Sequence, residues 1–390
     1  MDENTKSKLE KLDSLQNFER RLRKKDYSSS IEISIELSKF LYELIKNTIE
    51  NKLITTQEQL LDLIRYFGKI FIQIDPIQFS IGNIVKRTLF IIRDEIDNLT
   101  SFRDVKIDEE ANIKRLKAIT SLNRLIDYRN IRTIEKRKSS TMENNEEDNK
   151  TKKSEDLNQG ALSNDLIDNI LRNIEELIGE LEGVSDAIKD QADEHINDND
   201  IILTANHSDQ LEELFIEASK TKKFKVYVTE SAPSLSGLIQ AKTLKKNNID
   251  VTVIQDSAVY AIMPKVNKII IGTRAIMANG GLVTYNGVYN LCLCAQMFSV
   301  PVVVVGATFK LTPMFPFNYE TFNDFLSPDS ILSNKLEYKG DISNIKFNTP
   351  AFDYVPPEMI TIYITNQGSQ NPAYIYRLFS ELYSQEDYFL

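Results

Sequence analysis

The sequence has very few of the side chains on which metal, disulfide and Ser-His chemistry depend. Its 390 residues include two cysteines and two histidines, and the histidines are His195 and His207. So few imidazoles and thiols argue against a metal site and against a Ser-His catalytic pair. Cys292 and Cys294 lie one residue apart on a predicted helix, where their side chains point about 200° apart. We therefore expect buried thiols and no disulfide.

Phosphate-binding and nucleophile motifs are also missing. The chain contains no P-loop, no GxGxxG fingerprint and no nucleophile elbow. No apolar run approaches the ~18 residues of a membrane span, and the N-terminus lacks the apolar region of a signal peptide. The net charge of −10 and the pI near 5.1 argue against a nucleic-acid surface. We therefore predict a cytosolic protein with no metal, no cofactor, no DNA partner and no membrane partner, and with other proteins as its partners.

Changes in the apolar pattern divide the chain into four parts. Residues 1–98 have helical periodicity and predict an N-terminal helical domain. Residues 99–160 predict a charged and largely disordered insert, and residues 161–199 predict a long connecting helix. Residues 200–390 alternate between strand and helix patterns, which is typical of a Rossmann-like parallel α/β domain. The predicted fold class is α/β, with the helical domain first.

The helical domain shows three apolar stripes, which predict three or four packed helices. Asp75-Pro76 predicts the start of one of them. Its last helix carries charged residues, for which we expect a solvated face, although a partner surface is the alternative. These residues are Arg87, Arg93, Asp94 and Glu95.

Two stretches of the insert have different compositions. In Ile113–Ile126 the apolar residues recur every three positions, which predicts a short amphipathic helix of uncertain placement. Glu135–Asp156 contains Met142 as its only apolar residue. Such a composition buries too little surface to offset the entropy of ordering, so we predict disorder there.

The centre of the α/β domain is the run 267–311. Two apolar segments, Ile269–Ile271 and Val302–Val305, predict buried parallel strands, and a helix is predicted at Gly287–Phe298 between them. Other strands are predicted at Ile201–Thr204, Lys225–Thr229, Val251–Ile254 and Ile360–Ile364. Ligands of open α/β sheets bind at the carboxyl ends of such strands, so small-molecule chemistry is expected at 272–281.

Polar residues follow several of these strands. For each of them, a role in ligand binding or catalysis and an ordinary structural role are the two alternatives. Asp256 is expected to cap a helix, with a ligand contact as the second possibility. Glu230 is either an exposed loop carboxylate or a catalytic group. Asn279-Gly280-Gly281 either exposes backbone N–H groups to a phosphate or forms a turn.

Several long motifs occur along the chain in a fixed order. They are Phe79–Asn83, Arg93–Glu95, Asp256–Val259, Ile270–Thr273, Ala278–Gly280, Phe309–Pro313, Phe352–Glu358 and Asn371–Leu378. Together these motifs resemble the regulatory subunits of eukaryotic initiation factor 2B and their relatives, the methylthioribose-1-phosphate and ribose-1,5-bisphosphate isomerases. Within this family the C-terminal motifs and the helical-domain motif look most like those of beta-type subunits.

The resemblance implies that isomerase catalysis is lost. The isomerases use a cysteine and an aspartate for proton transfer, and these positions fall at about Asn206 and on Thr273. An amide and a threonine hydroxyl are poor proton-transfer groups near neutral pH. An arginine of the isomerases that resembles a phosphate binder is replaced by Ala232. The residues Glu230, Asp256, Asn279 and Gly280 are then expected to line a vestigial pocket.

The resemblance also implies the partners. They are the alpha, gamma, delta and epsilon subunits of initiation factor 2B, together with the alpha subunit of translation initiation factor 2, whose phosphorylation is sensed. The chain is then a non-catalytic regulatory subunit of a guanine-nucleotide exchange factor; the alternative is a sugar-phosphate isomerase or a ligand-sensing homologue. The contact with delta is expected to involve Lys225, Tyr227, Thr252 and Ile254. The alternative for the apolar residues of these strands is burial in the core of the single chain.

Overall fold

The computed structural model describes residues 13–27, 29–51, 53–105, 162–316, 323, 325–327 and 346–388. The stretches Ile113–Ile126 and Glu135–Asp156, for which a helix and disorder are predicted, lie outside these residues. None of the described helices is long and apolar enough to cross a membrane.

Helices form the N-terminal part of the structure, as the apolar stripes predict. Several begin where a hydroxyl caps a free backbone N–H, for example where the side chain of Ser29 accepts from Glu32 and that of Ser163 from Leu166. The described helices of this bundle are α1 (Asp13–Lys24), α2 (Ser30–Glu50), α3 (Gln57–Ile74), α4 (Phe79–Val105) and α5 (Asn164–Lys189). Helix α5 packs against α2 and α4, so it is part of the bundle as well as the connection to the sheet.

A seven-stranded sheet forms the second part, and this confirms the predicted Rossmann-like fold. Its strand order is β10-β9-β7-β4-β1-β2-β3, parallel except for β10. The strands are β1 (Ile201–Thr204), β2 (Lys225–Thr229), β3 (Asp250–Ile254), β4 (Lys268–Gly272), β7 (Val302–Val305), β9 (Ile362–Thr365) and β10 (Gly368–Gln370). The helices of this part are α6 (Ala192–His195), α7 (Asp209–Thr221), α8 (Ser236–Lys246), α9 (Val259–Ile262), α10 (Val288–Phe298) and α11 (Ile375–Leu382).

Alternate residues of each strand serve two different cores. Ile202, Val226 and Ile270 share a buried cluster with the helical bundle, α7 and α8. Leu203 and Ile269 point to the other face, where α9, α10 and α11 cover them. The bundle and the sheet therefore share a continuous apolar core on one face.

A small second sheet was not expected from the sequence. The predicted loop between β4 and α10 contains β5 (Ala275–Ile276) and β6 (Leu282–Tyr285), which pair antiparallel with each other and, through β6, with β8 (Phe352–Val355). Strands of two to four residues are too short to show an alternating pattern.

Two further expectations are wrong in detail. Asp75 ends α3 and α4 begins at Phe79, so Asp75-Pro76 lies in a turn rather than at a helix start. Arg87 and Arg93 of α4 are paired rather than solvated, since Arg87 Nη2 donates to Glu180 at 2.5 Å and Arg93 Nε to Asp387 at 2.7 Å, whereas Asp94 is exposed as expected. The sequence pattern cannot show such partners because they lie on distant elements.

Candidate functional site

A cavity of about 120 Å³ lies at the carboxyl ends of the central strands. The loops after β1 and β4 form its sides, and the start of α2, at Ser29 and Ser30, closes it from the bundle. This is the expected position of a ligand site in an open α/β sheet. Among its other lining residues are Asn206, His207, Asp209, Gln210, Thr273, Arg274 and Lys310.

Two cations border this cavity. Lys310 is buried and its Nζ donates to Gln210 Oε1 at 2.9 Å and to the carbonyl of Thr273 at 3.0 Å. Burial lowers the pKa of Lys310 to about 8, and the charge of Arg274 acts in the same direction. Arg274 donates to the side chain of Gln78, which ties the cavity wall to the bundle. The cavity wall is thus basic.

Polar atoms around the cavity are incompletely paired. Within the described part of the chain, the buried Nε2 of Gln210 and the Nε of Arg274 have no hydrogen-bond partner. Burying a donor without a partner is unfavourable, so such atoms mark where a ligand or a water binds. A ligand with acceptor oxygens fits these donors.

His207 and Asp209 place titratable groups at the same opening. His207 Nε2 lies 3.1 Å from Oε1 of Glu212, and the hydrogen bond to this carboxylate raises the pKa of His207. Burial raises the pKa of Asp209, while the charge of His207 acts in the opposite direction. An anion bound here is attracted by Arg274 and Lys310 and repelled by Asp209.

Asn206 and Thr273 line this cavity together, but Ala232 does not. Asn206 has a φ of 62° and its N–H donates to Ser231 Oγ at 2.8 Å. The hydroxyl of Thr273 lies 3.0 Å from the carbonyl of Ala275 and 3.1 Å from that of Val283. Ala232 is exposed. The structure therefore brings together the two positions that the resemblance assigns to lost proton-transfer groups, and leaves the position of the lost phosphate-binding arginine outside this cavity.

Asp256 borders a second cavity of about 130 Å³, which adjoins the first at Asn206. Its carboxylate accepts the N–H groups of Ser231 at 3.0 Å and Ala232 at 2.7 Å. The expected helix-capping role is therefore wrong, since Asp256 fixes the loop after β2. Glu230 is half-buried, lines neither cavity, and donates its N–H to the carbonyl of Ile254.

The Asn279-Gly280 pair forms a turn away from both cavities. The N–H of Gly280 donates to Met277, and its carbonyl accepts the hydroxyl of Tyr363 at 2.7 Å. Asn279 Nδ2 donates to the hydroxyl of Tyr354 at 2.7 Å. The backbone N–H and carbonyl of Gly280 are therefore occupied, so this stretch forms a turn and does not present them to a phosphate. Of the four residues expected in a vestigial pocket, Asp256 alone lines either cavity.

Sequence reasoning missed the cations. Lys310 lies in the motif Phe309–Pro313, which by itself indicates no role for the lysine, and no motif marks Arg274 or His207 as a ligand-binding residue. The one available signal was a lysine between the apolar residues Phe309 and Leu311, a position where an unpaired charge is unusual.

A second candidate site is an apolar stripe on the outer surface of α10. Its residues Tyr289, Leu293 and Met297 recur every four positions and are 37%, 36% and 75% exposed. Tyr260 of α9 is 57% exposed, and its ring packs at 5.1 Å against that of Phe298. The sequence of α10 contains no charged residue. A helix that is apolar on all sides is usually buried, which points to a partner surface.

The four residues expected at a subunit contact lie beneath or beside this stripe. β3 is the edge strand, and Tyr227 of β2 is in register with Thr252 of β3. Tyr227 and Ile254 are partly buried against the core under α9 and α10. Lys225 lies at the amino end of β2, where it pairs with Asp250 at 3.8 Å. The exposed surface of this face belongs to the helices rather than to these strands.

No group of three or more His, Cys, Asp or Glu side chains in the described residues is arranged to hold a metal ion. Cys292 is buried, and burial raises its pKa to about 12; Cys294 is partly buried. Both are free thiols.

Comparison with known proteins connects this geometry to a family. The sequence model of the initiation factor 2 subunit family matches residues 26–372. The chain belongs to this family. The predicted resemblance is thereby confirmed.

Two similar members of the family are named as translation initiation factor eIF2B subunit beta. The protein of Dictyostelium discoideum is 37% identical over 373 residues, which cover 91% of this chain and 92% of that protein. The protein of Schizosaccharomyces pombe is 33% identical over 349 residues, with coverage of 85% and 87%. Matches over nearly the whole length exclude a likeness limited to one domain.

Solved structures of the family share the fold. The eIF2B beta structure from Chaetomium thermophilum has a TM-score of 0.67 at 20% identity and covers 99% of this chain and 97% of that chain. A chain of the tetrameric eIF2B-beta2-delta2 complex from C. thermophilum has a TM-score of 0.62 at 20% identity, with coverage of 97% and 98%. The Pyrococcus horikoshii initiation factor eIF-2B has a TM-score of 0.54 at 16% identity, with coverage of 95% and 98%.

Proposed function

We propose that the chain is a non-catalytic, beta-type regulatory subunit of the guanine-nucleotide exchange factor for translation initiation factor 2. The observation that carries this proposal is the likeness to two proteins named eIF2B subunit beta over most of the chain. A related chain has been solved in a complex with delta subunits. The α/β domain then pairs with a delta-type subunit, and the helical bundle contributes to the surface that receives the alpha subunit of factor 2.

The cavity chemistry supports a non-catalytic role. Asn206 is an amide, and the hydroxyl of Thr273 is already within hydrogen-bonding distance of two backbone carbonyls. Neither group transfers a proton readily near neutral pH. The regulatory role is tested by co-expressing the tagged chain with the four other subunits and measuring guanine-nucleotide release from factor 2, with and without phosphorylation of its alpha subunit. Loss of the phosphorylation response on omission of this chain supports the role.

The purified chain should not turn over methylthioribose-1-phosphate or ribose-1,5-bisphosphate. The physical reason is that the positions of the isomerases' cysteine and aspartate carry Asn206 and Thr273. The measurement is product formation, with an active isomerase of the same fold as the positive control. Turnover by the chain above the no-enzyme rate would contradict the proposal.

A second candidate function, the sensing of a phosphate-bearing metabolite, is favoured by the unpaired donor of Gln210 between Arg274 and Lys310. A ligand that binds only the folded state stabilises it by about 2.7 kcal/mol at a hundred times its dissociation constant. A ribose phosphate should therefore raise the melting temperature of the chain by several degrees. Arg274→Gln should abolish this ligand-induced rise.

The matched control is Arg172→Gln, since Arg172 is an exposed residue of α5 whose guanidinium bonds Asn169 at 3.3 Å. This variant should keep the ligand-induced rise. The absence of any rise with the unmodified chain, or its persistence in Arg274→Gln, would contradict metabolite sensing and leave the regulatory role untouched.

A further inference from the structure

The last turn that the structure describes contains a buried carboxylate. Asp387, in the turn Gln385–Asp387, is 2% exposed. Its Oδ1 accepts from Arg65 Nε at 3.1 Å and Nη2 at 2.7 Å, and its Oδ2 accepts from Arg93 Nε at 2.7 Å. Arg65 belongs to α3 and Arg93 to α4. One carboxylate near the C-terminus therefore joins two helices of the bundle.

Several carboxylates lie near Arg65 and Arg93. Of these, Asp387 is the buried one, and it pairs with both arginines. Arg65 also lies 3.7 Å from Asp62, which is 58% exposed, and Arg93 pairs with Glu386, which is 69% exposed. Exposed ion pairs contribute little because water screens them. A buried carboxylate that receives several charge-assisted hydrogen bonds is costly to leave unpaired, so the contact with Asp387 is the stronger one.

The turn lies at the end of α11, which belongs to the α/β domain. Ile375, Leu378 and Phe379 of α11 are buried in the core on the far face of the sheet. The ring of Tyr388, after the turn, packs 5.0 Å from that of Phe379. Within a few residues, the chain therefore leads from α11, in the core of the α/β domain, to the ion pair with the helical bundle.

Helix α11 also forms one wall of a groove of about 510 Å³, whose other walls are α4 and α5. Glu381 and Leu382 line it from α11, Asp94 from α4, and Glu176 from α5. The shape of this groove depends on how closely α11 is held to the bundle, and the contact of Asp387 with Arg65 and Arg93 lies five residues beyond Leu382.

We propose that the C-terminal turn is a clamp: Asp387 holds α11 against the bundle and thereby sets the width of the groove between α4, α5 and α11. The clamp closes when Arg65 and Arg93 share the Asp387 carboxylate. Without it, α11 opens locally while the central strands remain folded, because β1, β4 and β7 also contribute to the core that the sheet shares with the bundle on its other face.

Asp387→Asn in the full chain tests the clamp, since it removes the charge and keeps the shape. Hydrogen exchange should become about tenfold faster or more for the amides of α11, and remain unchanged for β1, β4 and β7. Spin labels at Glu176→Cys and Glu381→Cys, in a Cys294→Ser background, should report a longer distance across the groove. Asp62→Asn is the matched control, because it removes a carboxylate from Arg65 without touching the turn, and it should change neither readout.

If Asp387→Asn does not fold, Arg93→Lys provides the second variant, since it keeps the positive charge and removes the planar guanidinium. It should produce the same local opening of α11 to a smaller degree. Unchanged protection of α11 in the folded variant, or an equal loss of protection in α11 and the central strands, would overturn the clamp.

Discussion

Replacing Gly237 with alanine should lower the free energy of unfolding by about 3 kcal/mol, because overpacking against fixed backbone leaves no room for relaxation. Gly237 lies in the first turn of α8, where a Cβ would be 1.8 Å from the carbonyl oxygen of Thr229 and 3.2 Å from Ser231 Oγ. Thr229 ends β2, so a methyl group forces α8 away from the sheet. Urea denaturation with an unchanged m-value measures the loss.

The matched control for this substitution is Gly179→Ala in α5. Nothing lies within 4 Å of a Cβ at that position. Alanine has a higher helix propensity than glycine, so this variant should be more stable by about 0.5–1 kcal/mol. Equal stability of Gly237→Ala and the unmodified chain would show that α8 is free to shift relative to β2.

The displacement of α8 by Gly237→Ala should also affect the cavities, because the loop after β2 that Gly237 contacts also supports them. Ser231 Oγ accepts the N–H of Asn206 at 2.8 Å, and Asp256 holds the backbone of Ser231 at 3.0 Å. The carboxyl ends of β1, β2 and β3 are thus tied together by side-chain to backbone hydrogen bonds. The conformation of Asn206, with its positive φ, depends on this network.

The helices and central strands could be predicted from sequence because their apolar residues recur at the right period. Every third or fourth residue of α5 from Leu166 to Ile188 is apolar and buried, as the period requires, whereas Ile167 and Leu171 between them are only partly buried. Val302–Val305 is buried along its whole length, as expected of a strand covered on both faces. By contrast, β5 and β6 are too short to carry a period, so the small sheet could not be predicted.

The candidate site could be predicted only in part. Motif positions place Asn206 and Thr273 at the ends of β1 and β4, and these strands are neighbours, so the two residues meet. Lys310 meets them because β7 lies next to β4, while Ser29 comes from the start of α2 in the bundle. Strand order and domain packing create these contacts, and neither can be obtained from local pattern.

The partners of charged residues could not be predicted from local sequence pattern either. Arg93 belongs to a motif that resembles the family, but its partner Asp387 lies 294 positions later. A solvated face is the usual role of charges on an amphipathic helix, and it fails here because the C-terminal turn covers that face. Long-range ion pairs of this kind determine which charges are exposed.

The strands predicted to contact a delta-type subunit are covered on one face by α9 and α10. Tyr227 is partly buried against the core under α9 and α10, so Tyr227→Glu should unfold the chain rather than only weaken assembly. Thr252 and Ile254 are half-buried on the edge strand. Among the large apolar residues of the α10 stripe and its neighbour α9, Met297 and Tyr260 are the most exposed.

Met297→Asp should leave the isolated chain folded and weaken its association with a delta-type subunit by about 2 kcal/mol or more, roughly 30-fold, because an unpaired charge is buried at the contact. Met297 is 75% exposed, so its replacement removes little packing from the chain itself.

The control is Ile239→Asp, at a residue that is 54% exposed on α8, which covers the opposite face of the sheet. Calorimetric titration with a delta-type subunit measures both variants, and circular dichroism confirms their folding. If Ile239→Asp alone weakens assembly, the contact lies on α8; if neither does, it lies on the C-terminal segment Asn371–Leu382, and the outward stripe of α10 serves another partner.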